Sequence, residues 1–101
     1  MGERADFYIE KVRYSKDRTR ILSVSVREDS GTKLSKAVDM DREKLVGLIS
    51  DGKQFMTIFR GDTGKYRKGR LVVLSDLNGK RFIRTDEHQV KYDQLDQVPE
   101  Y

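Results

Sequence analysis

The dipeptide Asn78–Gly79 constrains the fold of this chain more than any other local feature. Both residues tolerate positive φ, which the two-residue turn of a tight β-hairpin requires. The turn therefore predicts two antiparallel strands, one on each side of it. In this hairpin Leu74 lies opposite Ile83, which gives an apolar pair, and Asp76 lies opposite Arg81, which gives a pair of opposite charges.

The rest of the chain also shows the patterns of strands. Apolar residues that alternate or run continuously predict strands over residues 7–14, 21–27, 34–40, 54–60, 70–75 and 80–85. Val and Ile together number 14 and Ala only 2, and β-branched side chains fit a pleated surface better than a helix. The composition therefore favours a sheet.

Three details of these strands are predicted. The imperfect alternation in 7–14 indicates a bulge, and the short polar turn after it favours an antiparallel hairpin with 21–27. In the second strand, Leu22, Val24 and Val26 are expected to share one face. The continuous apolar run within 70–75 predicts a strand that is buried on both faces.

One helix is expected over residues 42–50, with an apolar stripe facing the sheet. Asp41 can cap its first turn, Met40 and Leu45 fit a hydrophobic staple, and Gly52 suits a left-handed residue after the last turn. The predicted fold is α+β: a mainly antiparallel sheet of about five or six strands with one short helix, in the order β-β-β-α-β-β-β.

Length and composition predict one domain over residues 1–101, with a polar acidic tail from about residue 86. Leu95 and Val98 are the expected apolar anchors of this tail. The longest aliphatic run has four residues, whereas a membrane span needs about 20. There is no cysteine and no apolar N-terminal leader, so we expect a cytoplasmic protein without disulfides or a membrane partner.

Metal binding and catalysis find little support in the sequence. His88 is the only histidine and lies beside carboxylates, which is typical of a solvated loop, and zinc sites need several His or Cys. The acidic residues within 39–43 are spaced like the start of a calcium loop, but Lys44 and Ser50 stand where Gly and Glu are needed. We expect no enzyme, no metal and no cofactor.

The segment 61–65, Gly-Asp-Thr-Gly-Lys, is similar to phosphate-binding loops in composition only. It lacks the four-residue glycine spacing and the Ser or Thr of a Walker loop. It also follows a strand, whereas the glycine clamp of a KH domain joins two helices. An ordinary hairpin turn is the better interpretation.

A set of short motifs carries a resemblance to a known family. These motifs are Gly52 with Phe55 and Thr57, the strand and turn Arg-Phe-Ile-Arg-Thr-Asp at 81–86, Asp93-Gln94-Leu95 and Val98-Pro99. The chain resembles a family of short uncharacterised bacterial proteins, the domain-of-unknown-function family thirty-eight ninety-two. Its members close with an aromatic-aliphatic-Arg-Thr strand, an acidic turn, a D-N-L step and a Leu-Pro, so Gln94 and Val98 depart from the pattern. The resemblance implies a strand-rich fold and a bacterial origin, and it assigns no functional residue.

Positive charge is concentrated in one part of the chain. Residues 60–84 carry eight basic and two acidic residues, whereas 85–101 carry one basic and five acidic residues. An exposed aromatic among cations can stack on a base while the cations contact phosphates. The candidate nucleic-acid-binding residues are Arg60, Lys65, Tyr66, Arg67, Lys68, Arg70 and Arg84, with Arg18 and Arg20 as an extension.

Two functions remain open. The first is a small binding module that binds nucleic acid weakly and without sequence specificity through a basic surface formed by 60–84. The alternative is a protein-interaction or structural adaptor, in one version a homodimer, that uses an exposed strand edge or an apolar patch and has no nucleic-acid role. Phe7, Tyr8 and Tyr14 favour the alternative, because they exceed what one face of a modest core needs. The first function requires the cations to share one face with Tyr66, clear of the carboxylates of the tail.

Overall fold

The computed structural model describes residues 5–31, 34–60, 66–77, 79–85, 93, 95 and 98–101. They form an α+β fold in the predicted order β-β-β-α-β-β-β. The elements are β1 (Phe7–Tyr14), β2 (Ile21–Glu28), β3 (Val38–Asp41), α1 (Arg42–Ser50), β4 (Phe55–Arg60), β5 (Tyr66–Leu77) and β6 (Lys80–Arg84). The third strand is shorter than predicted, because Leu34 makes only an isolated bridge with Asp29.

The six strands form one sheet in the order β3-β2-β1-β4-β5-β6. All neighbouring pairs are antiparallel except β1 and β4, which are parallel. The helix α1 makes this parallel pair possible, because it carries the chain from the edge strand β3 back to the start of β4. A parallel pair needs such a crossover. The prediction of a mainly antiparallel sheet is confirmed.

The hairpin of β5 and β6 has the predicted register. Leu74 lies opposite Ile83, and Asp76 lies opposite Arg81. Gly79 has the positive φ of 80° that the tight turn requires, whereas Asn78 lies outside the described residues. Ile83 is fully buried and Leu74 packs against the same core, so the apolar pair anchors the hairpin to the inside of the sheet.

The hairpin of β1 and β2 contains two irregularities. One falls between Ile9 and Lys11, where the imperfect alternation predicts a bulge. The second falls opposite Leu22, since Arg13 pairs with Ser23 and Tyr14 pairs with Ile21. Leu22 is therefore the extra residue of a bulge and is exposed, and the prediction that it shares the buried face of Val24 and Val26 is wrong.

The helix has the predicted bounds and the predicted caps. The side chain of Asp41 accepts the backbone N–H of Lys44 at 2.8 Å. Met40 and Leu45 are both buried in the main core, as a hydrophobic staple requires. Gly52 has a φ of 99°, which an L side chain rarely adopts, and it ends the helix as predicted.

The two faces of the sheet differ in their cover. The inner face is the one on which α1 packs, and it carries the main core, centred on Ile9, Val24, Leu45, Phe55 and Ile83. The outer face, which α1 does not cover, carries a small second cluster of Ala5, Tyr8, Met56 and Ile58 with Leu34 against it. Most of the hydrophobic stabilisation therefore comes from the inner face.

The prediction that 70–75 is buried on both faces is wrong. Val72 is buried in the main core, but Leu71 is 40% exposed and Val73 is only half-buried. The pleat directs Leu71 and Val73 to the outer face, which α1 does not cover. The strand is also longer than predicted, because it begins at Tyr66 and pairs with β4 before it pairs with β6.

A bulge interrupts the pairing of β4 and β5. Met56 lies opposite Leu71 and Ile58 lies opposite Lys68, so Thr57 faces two residues, Gly69 and Arg70. A Cβ atom at Gly69 would lie only 2.1 Å from Oγ1 of Thr57. The same Oγ1 accepts the backbone N–H of Arg70 at 2.9 Å, so the threonine hydroxyl replaces the missing ladder bond.

One carboxylate bridges β2 and β6, which have three strands between them in the sheet order. Their contact is made by Asp93, whose Oδ2 accepts the N–H of Ile21 at 2.8 Å and whose Oδ1 accepts the N–H of Ile83 at 2.7 Å. The N–H of Asp93 in turn donates to the carbonyl of Thr19 at 2.9 Å. We call this line of contact the β2–β6 seam. A single carboxylate there satisfies backbone groups that a further strand would otherwise pair.

The C-terminal residues lie beside β1. The N–H of Val12 donates to the carbonyl of Pro99, and the N–H of Tyr101 donates to the carbonyl of Val12. Leu95 and Val98 are buried in the main core, which confirms them as the anchors of this segment. The segment therefore extends the sheet along the part of β1 that β4 leaves unpaired.

Candidate nucleic-acid interface

The predicted basic segment is divided between two faces by the pleat of β5. Lys68 lies opposite Ile58 on the outer face, and its Nζ is 6.0 Å from the ring centroid of Tyr8. Arg67 lies opposite Phe59, which packs on the main core, and its Cζ is 6.0 Å from the ring of Phe59. Neighbouring residues of a strand point to opposite faces, so the run of cations does not form one continuous surface.

Arg84 requires a correction. Its side chain is only 3% exposed, because it lies near the end of β6 among buried residues. A guanidinium in this position does not belong to an exposed basic surface. Arg70 is exposed at the bulge opposite Thr57. The side chain of Arg60 and all of Lys65 lie outside the described residues.

The two predicted extension residues lie at the turn between β1 and β2, and each has a different setting. Arg18 donates from Nη1 to Oε1 of Glu100 at 2.7 Å and lies over the ring of Tyr14. The hydrogen bond lowers the pKa of Glu100, so this carboxylate stays charged beside the arginine. Arg20 lies at the β2–β6 seam, away from Tyr66 on β5.

Tyr66 is the aromatic residue that remains accessible on the outer face, with 37% of its surface exposed. The Cζ of Arg27 lies 5.6 Å from the centroid of its ring, within the range of a cation–π contact. Lys68, two residues further along β5, lies on the same face. Tyr66 therefore has the guanidinium of Arg27 over its ring and Lys68 two residues away on the same face of the strand.

The structure adds cations that the segment-based interpretation missed. Lys11 lies opposite Ser25 and Arg13 lies opposite Ser23, which places both on the outer face with Arg27. Arg13 donates from Nε to the carbonyl of Tyr101 at 3.1 Å and lies over its ring. The spacing of two between Lys11 and Arg13 was the available signal, since alternate residues of a strand share a face.

Carboxylates on the outer face limit its positive charge. Oε2 of Glu10 accepts from Nε of Arg27 at 2.7 Å, and this hydrogen bond raises the pKa of Arg27. Asp39 on β3 accepts from the hydroxyl of Tyr101 at 3.1 Å. The cationic part of the face therefore lies on β1 and β5, and the β3 side is acidic.

Two carboxylates of the tail are engaged in ion pairs. Asp93 is fully buried and binds Arg42, with Nε to Oδ2 at 2.8 Å and Nη2 to Oδ1 at 3.2 Å. Glu100 binds Arg18. Neither pair involves Tyr66 or Lys68, and Asp86, Glu87 and Asp96 lie outside the described residues.

The acidic residues around the start of α1 stabilise the N-terminus of the helix. Asp41 is its N-cap and Glu43 lies in its first turn, where a negative charge is favourable. Within the described ranges, no group of three His, Asp or Glu side chains is placed to hold a metal ion. The described chain also has no helix long and apolar enough to cross a membrane. His88 and the turn 61–65 lie outside the described residues.

Comparison with known proteins gives no further identification. No protein-family model, no curated protein and no solved structure matches this chain. The resemblance to the domain-of-unknown-function family therefore stays a prediction.

Proposed function

We propose that this protein is a small binding module that binds single-stranded nucleic acid weakly and without sequence specificity through its outer face. The observation that carries this proposal is the exposed ring of Tyr66, with Arg27 over it and Lys68 two residues along the same strand, on the face of the sheet that α1 does not cover. A base stacks on an exposed aromatic ring regardless of its identity, and nearby cations attract the phosphates.

The distribution of charge supports weak binding. Lys68 lies on the same strand as Tyr66, and Lys11 and Arg13 lie on β1, with β4 between β1 and β5, but Glu10 pairs with Arg27 and lies on the same face. Few phosphates can be neutralised by such a surface, so affinity depends on both stacking and low salt. Single strands are favoured over duplex, because only an unpaired base presents its ring to Tyr66.

Fluorescence anisotropy with a labelled oligothymidylate tests this function. We expect binding at low salt that weakens steadily as salt rises. Tyr66→Ala should weaken it at least about fivefold, because stacking contributes roughly 1–3 kcal/mol per base. Tyr66→Phe keeps the ring and should stay within about twofold of the parent protein.

A matched pair of lysine variants separates a local effect from a general charge effect. Lys68→Gln removes a cation beside Tyr66, whereas Lys44→Gln removes an exposed cation from α1, across the sheet. We expect weaker binding from the first and unchanged binding from the second. Equal effects, or no salt-sensitive binding at micromolar protein, would reject the outer face as the nucleic-acid site.

The exposed edge of the sheet favours one second candidate, the adaptor. β3 is an edge strand of four residues, and its Val38 is 56% exposed. An unpaired edge can accept a strand from a partner or from a second copy. Sedimentation equilibrium tests this: a dimer that Val38→Lys abolishes would support the adaptor, and a monomer that binds oligothymidylate would support the first function.

The aromatic residues near the N-terminus no longer favour the adaptor. The ring of Phe7 stacks on Phe55 with 4.8 Å between centroids, and Tyr8 is 3% exposed. The hydroxyl of Tyr14 accepts the N–H of Leu95 at 3.0 Å. All three therefore have partners inside the fold, and none is left over as an exposed patch.

A further inference from the structure

A cavity of about 460 Å³ lies at the β2–β6 seam. Its walls come from three places: the residues just before β2, the first residue of α1, and the start of β6. The lining residues are Thr19, Arg20, Arg42, Lys80, Arg81 and Phe82. The volume falls within the range of about 300–1,000 Å³ that is typical of small-molecule sites.

Four of the six lining residues are cations, and their charges are only partly balanced. Asp93 neutralises the charge of Arg42 by an ion pair. Arg20 and Lys80 form no ion pair with any described residue, and Arg81 donates from Nη1 to the neutral hydroxyl of Ser50 at 2.7 Å. The cavity thus carries the excess charge of these three residues.

Among the described residues, two further carboxylates come close to the lining residues, and neither forms an ion pair with one of them. Asp76 lies opposite Arg81 in the β5–β6 register, but no ion pair joins the two. Asp17 accepts the amide and the hydroxyl of Thr19 at 3.2 and 2.8 Å, and the hydroxyl of Ser15 as well. All three bonds go to Oδ1 of Asp17, and no ion pair joins Asp17 to a lining residue.

Arg42 is held in place before any ligand arrives. Asp93 fixes its Nε and Nη2, and Nη2 also donates to the carbonyl of Arg81 at 2.6 Å. The remaining nitrogen, Nη1, has no hydrogen-bond partner within the part of the chain that the structure describes. A planar guanidinium that is already oriented suits a phosphate, because little side-chain entropy is lost on binding.

We propose that this cavity binds a chain of two or three phosphate groups. Arg20 comes from the turn before β2 and Lys80 and Arg81 come from β6, on the other side of the seam, so a ligand with several linked negative charges contacts all of them at once. Phe82 supplies an aromatic wall for the group that carries the phosphates. The proposal is independent of the outer face, because none of these residues lies beside Tyr66.

Titration with sodium tripolyphosphate, followed by amide chemical shifts at constant ionic strength, tests the proposal. We expect saturable shifts at residues 19–20, 42 and 80–82. Arg20→Gln and Lys80→Gln should each weaken binding at least about fivefold, since each removes a charge-assisted hydrogen bond. Both residues are exposed and have no side-chain partner among the described residues, so the variants keep the fold.

Lys36→Gln is the matched control, because it removes an exposed lysine that lies before β3 and does not line the cavity. Its affinity for tripolyphosphate should stay within about twofold of the parent protein. Absence of saturable shifts at the seam, or equal weakening by Lys36→Gln and Lys80→Gln, would overturn the proposal.

Two probes distinguish the sources of such a phosphate chain. One is ATP, and the other is a short oligothymidylate with a 5′-triphosphate, compared with the same oligonucleotide ending in a hydroxyl. If ATP displaces tripolyphosphate from the cavity, the ligand is a free nucleotide. If only the 5′-triphosphate strand displaces it, the ligand is the end of a nucleic acid. Tyr66→Ala should leave both competitions unchanged, so failure of the outer-face function and failure of this proposal are separate results.

Discussion

Arg42 and Asp93 form a two-point ion pair in which the aspartate side chain is fully buried and the arginine side chain is 20% exposed. The same carboxylate accepts the N–H groups of Ile21 and Ile83. It therefore connects α1, β2 and β6, which no backbone ladder joins. Burial of this charge is tolerated because four hydrogen bonds and a counter-ion satisfy it.

Asp93→Ala should destabilise the fold strongly. The substitution leaves the charge of Arg42 without its partner and two buried N–H groups without an acceptor. Breaking a buried pair in this way costs about 3–5 kcal/mol. Urea unfolding measures the loss, and Asp76→Ala, at an exposed position of β5, should stay within about 0.5 kcal/mol. Similar losses in both variants would show that Asp93 does not hold the seam.

Gly69→Ala should also destabilise the fold, for a steric reason. The new Cβ would lie 2.1 Å from Oγ1 of Thr57 and 2.7 Å from Cε2 of Phe59. Thr57 cannot move away without losing its hydrogen bond with the N–H of Arg70, so the strands must separate. Overpacking of this kind costs about 1–3 kcal/mol or more in the free energy of unfolding.

Gly47→Ala is the matched control for this substitution. Gly47 is exposed within α1, and a Cβ there would meet nothing within 4 Å. Alanine is the better helix former, so this variant should gain about 0.5–1 kcal/mol. If both alanine variants change the midpoint of urea unfolding in the same direction, the steric account of the β4–β5 bulge is wrong.

The parts of this fold that the sequence predicts are those set by neighbouring residues. The turn at Gly79 fixes the β5–β6 register, and Asp41 and Gly52 fix the bounds of α1. In each case the signal and its structural effect lie within a few residues of each other. Such local preferences act whatever the rest of the chain does.

The seam could not be predicted, because Asp93 finds its partners at a distance along the chain. Ile21 is 72 residues away and Arg42 is 51 residues away, and no periodic pattern surrounds Asp93. Its acidic neighbourhood is typical of a solvated tail. Only the tertiary arrangement of β2, α1 and β6 brings these groups together, and this arrangement depends on packing between elements.

The candidate nucleic-acid interface was only partly predictable, because it too depends on how the strands are arranged. Net charge along the sequence identifies residues 60–84, but it does not give the face on which each side chain lies. Residues 66–69 belong to β5, and the prediction of a strand began at residue 70. Without the strand, the alternation that separates Arg67 from Lys68 could not be applied.

Asp17, in the turn between β1 and β2, should have a pKa below the ordinary value of an aspartate. Asp17 accepts hydrogen bonds from the hydroxyls of Ser15 and Thr19 and from the amide of Thr19, and these bonds lower the pKa of Asp17. Its folded-state pKa lies below its unfolded value, so the associated stability is present at neutral pH and is lost as pH falls through the folded pKa.

Carboxyl chemical shifts measured against pH test the cause of this shift. Ser15→Ala removes the first of the three donors and should move the pKa of Asp17 upward, toward its ordinary value. Ser50→Ala removes a hydroxyl that accepts from Arg81 and does not contact Asp17, so it should leave this titration unchanged. An unaltered pKa of Asp17 in Ser15→Ala would contradict the hydrogen-bond explanation.

Tyr14 links β1 to the C-terminal segment, and this link should weaken at alkaline pH. Burial raises the pKa of Tyr14, and the N–H of Leu95 and the charge of Arg18 oppose the effect of burial. The folded state therefore holds this proton more tightly than the unfolded state, and stability falls as pH rises above about 10. Tyr14→Phe removes the titrating group and the hydrogen bond with Leu95 together.

We expect Tyr14→Phe to lose about 0.5–1.5 kcal/mol at neutral pH, the usual contribution of one hydrogen bond, and to show a smaller further loss between pH 9 and pH 11. Urea unfolding at a series of pH values measures both effects. Tyr66→Phe, at the exposed tyrosine of the outer face, should differ from the parent protein by less than about 0.5 kcal/mol throughout. If Tyr14→Phe loses as much stability at alkaline pH as the parent protein, the loss comes from other groups, because the hydroxyl that accepts from Leu95 is absent in this variant.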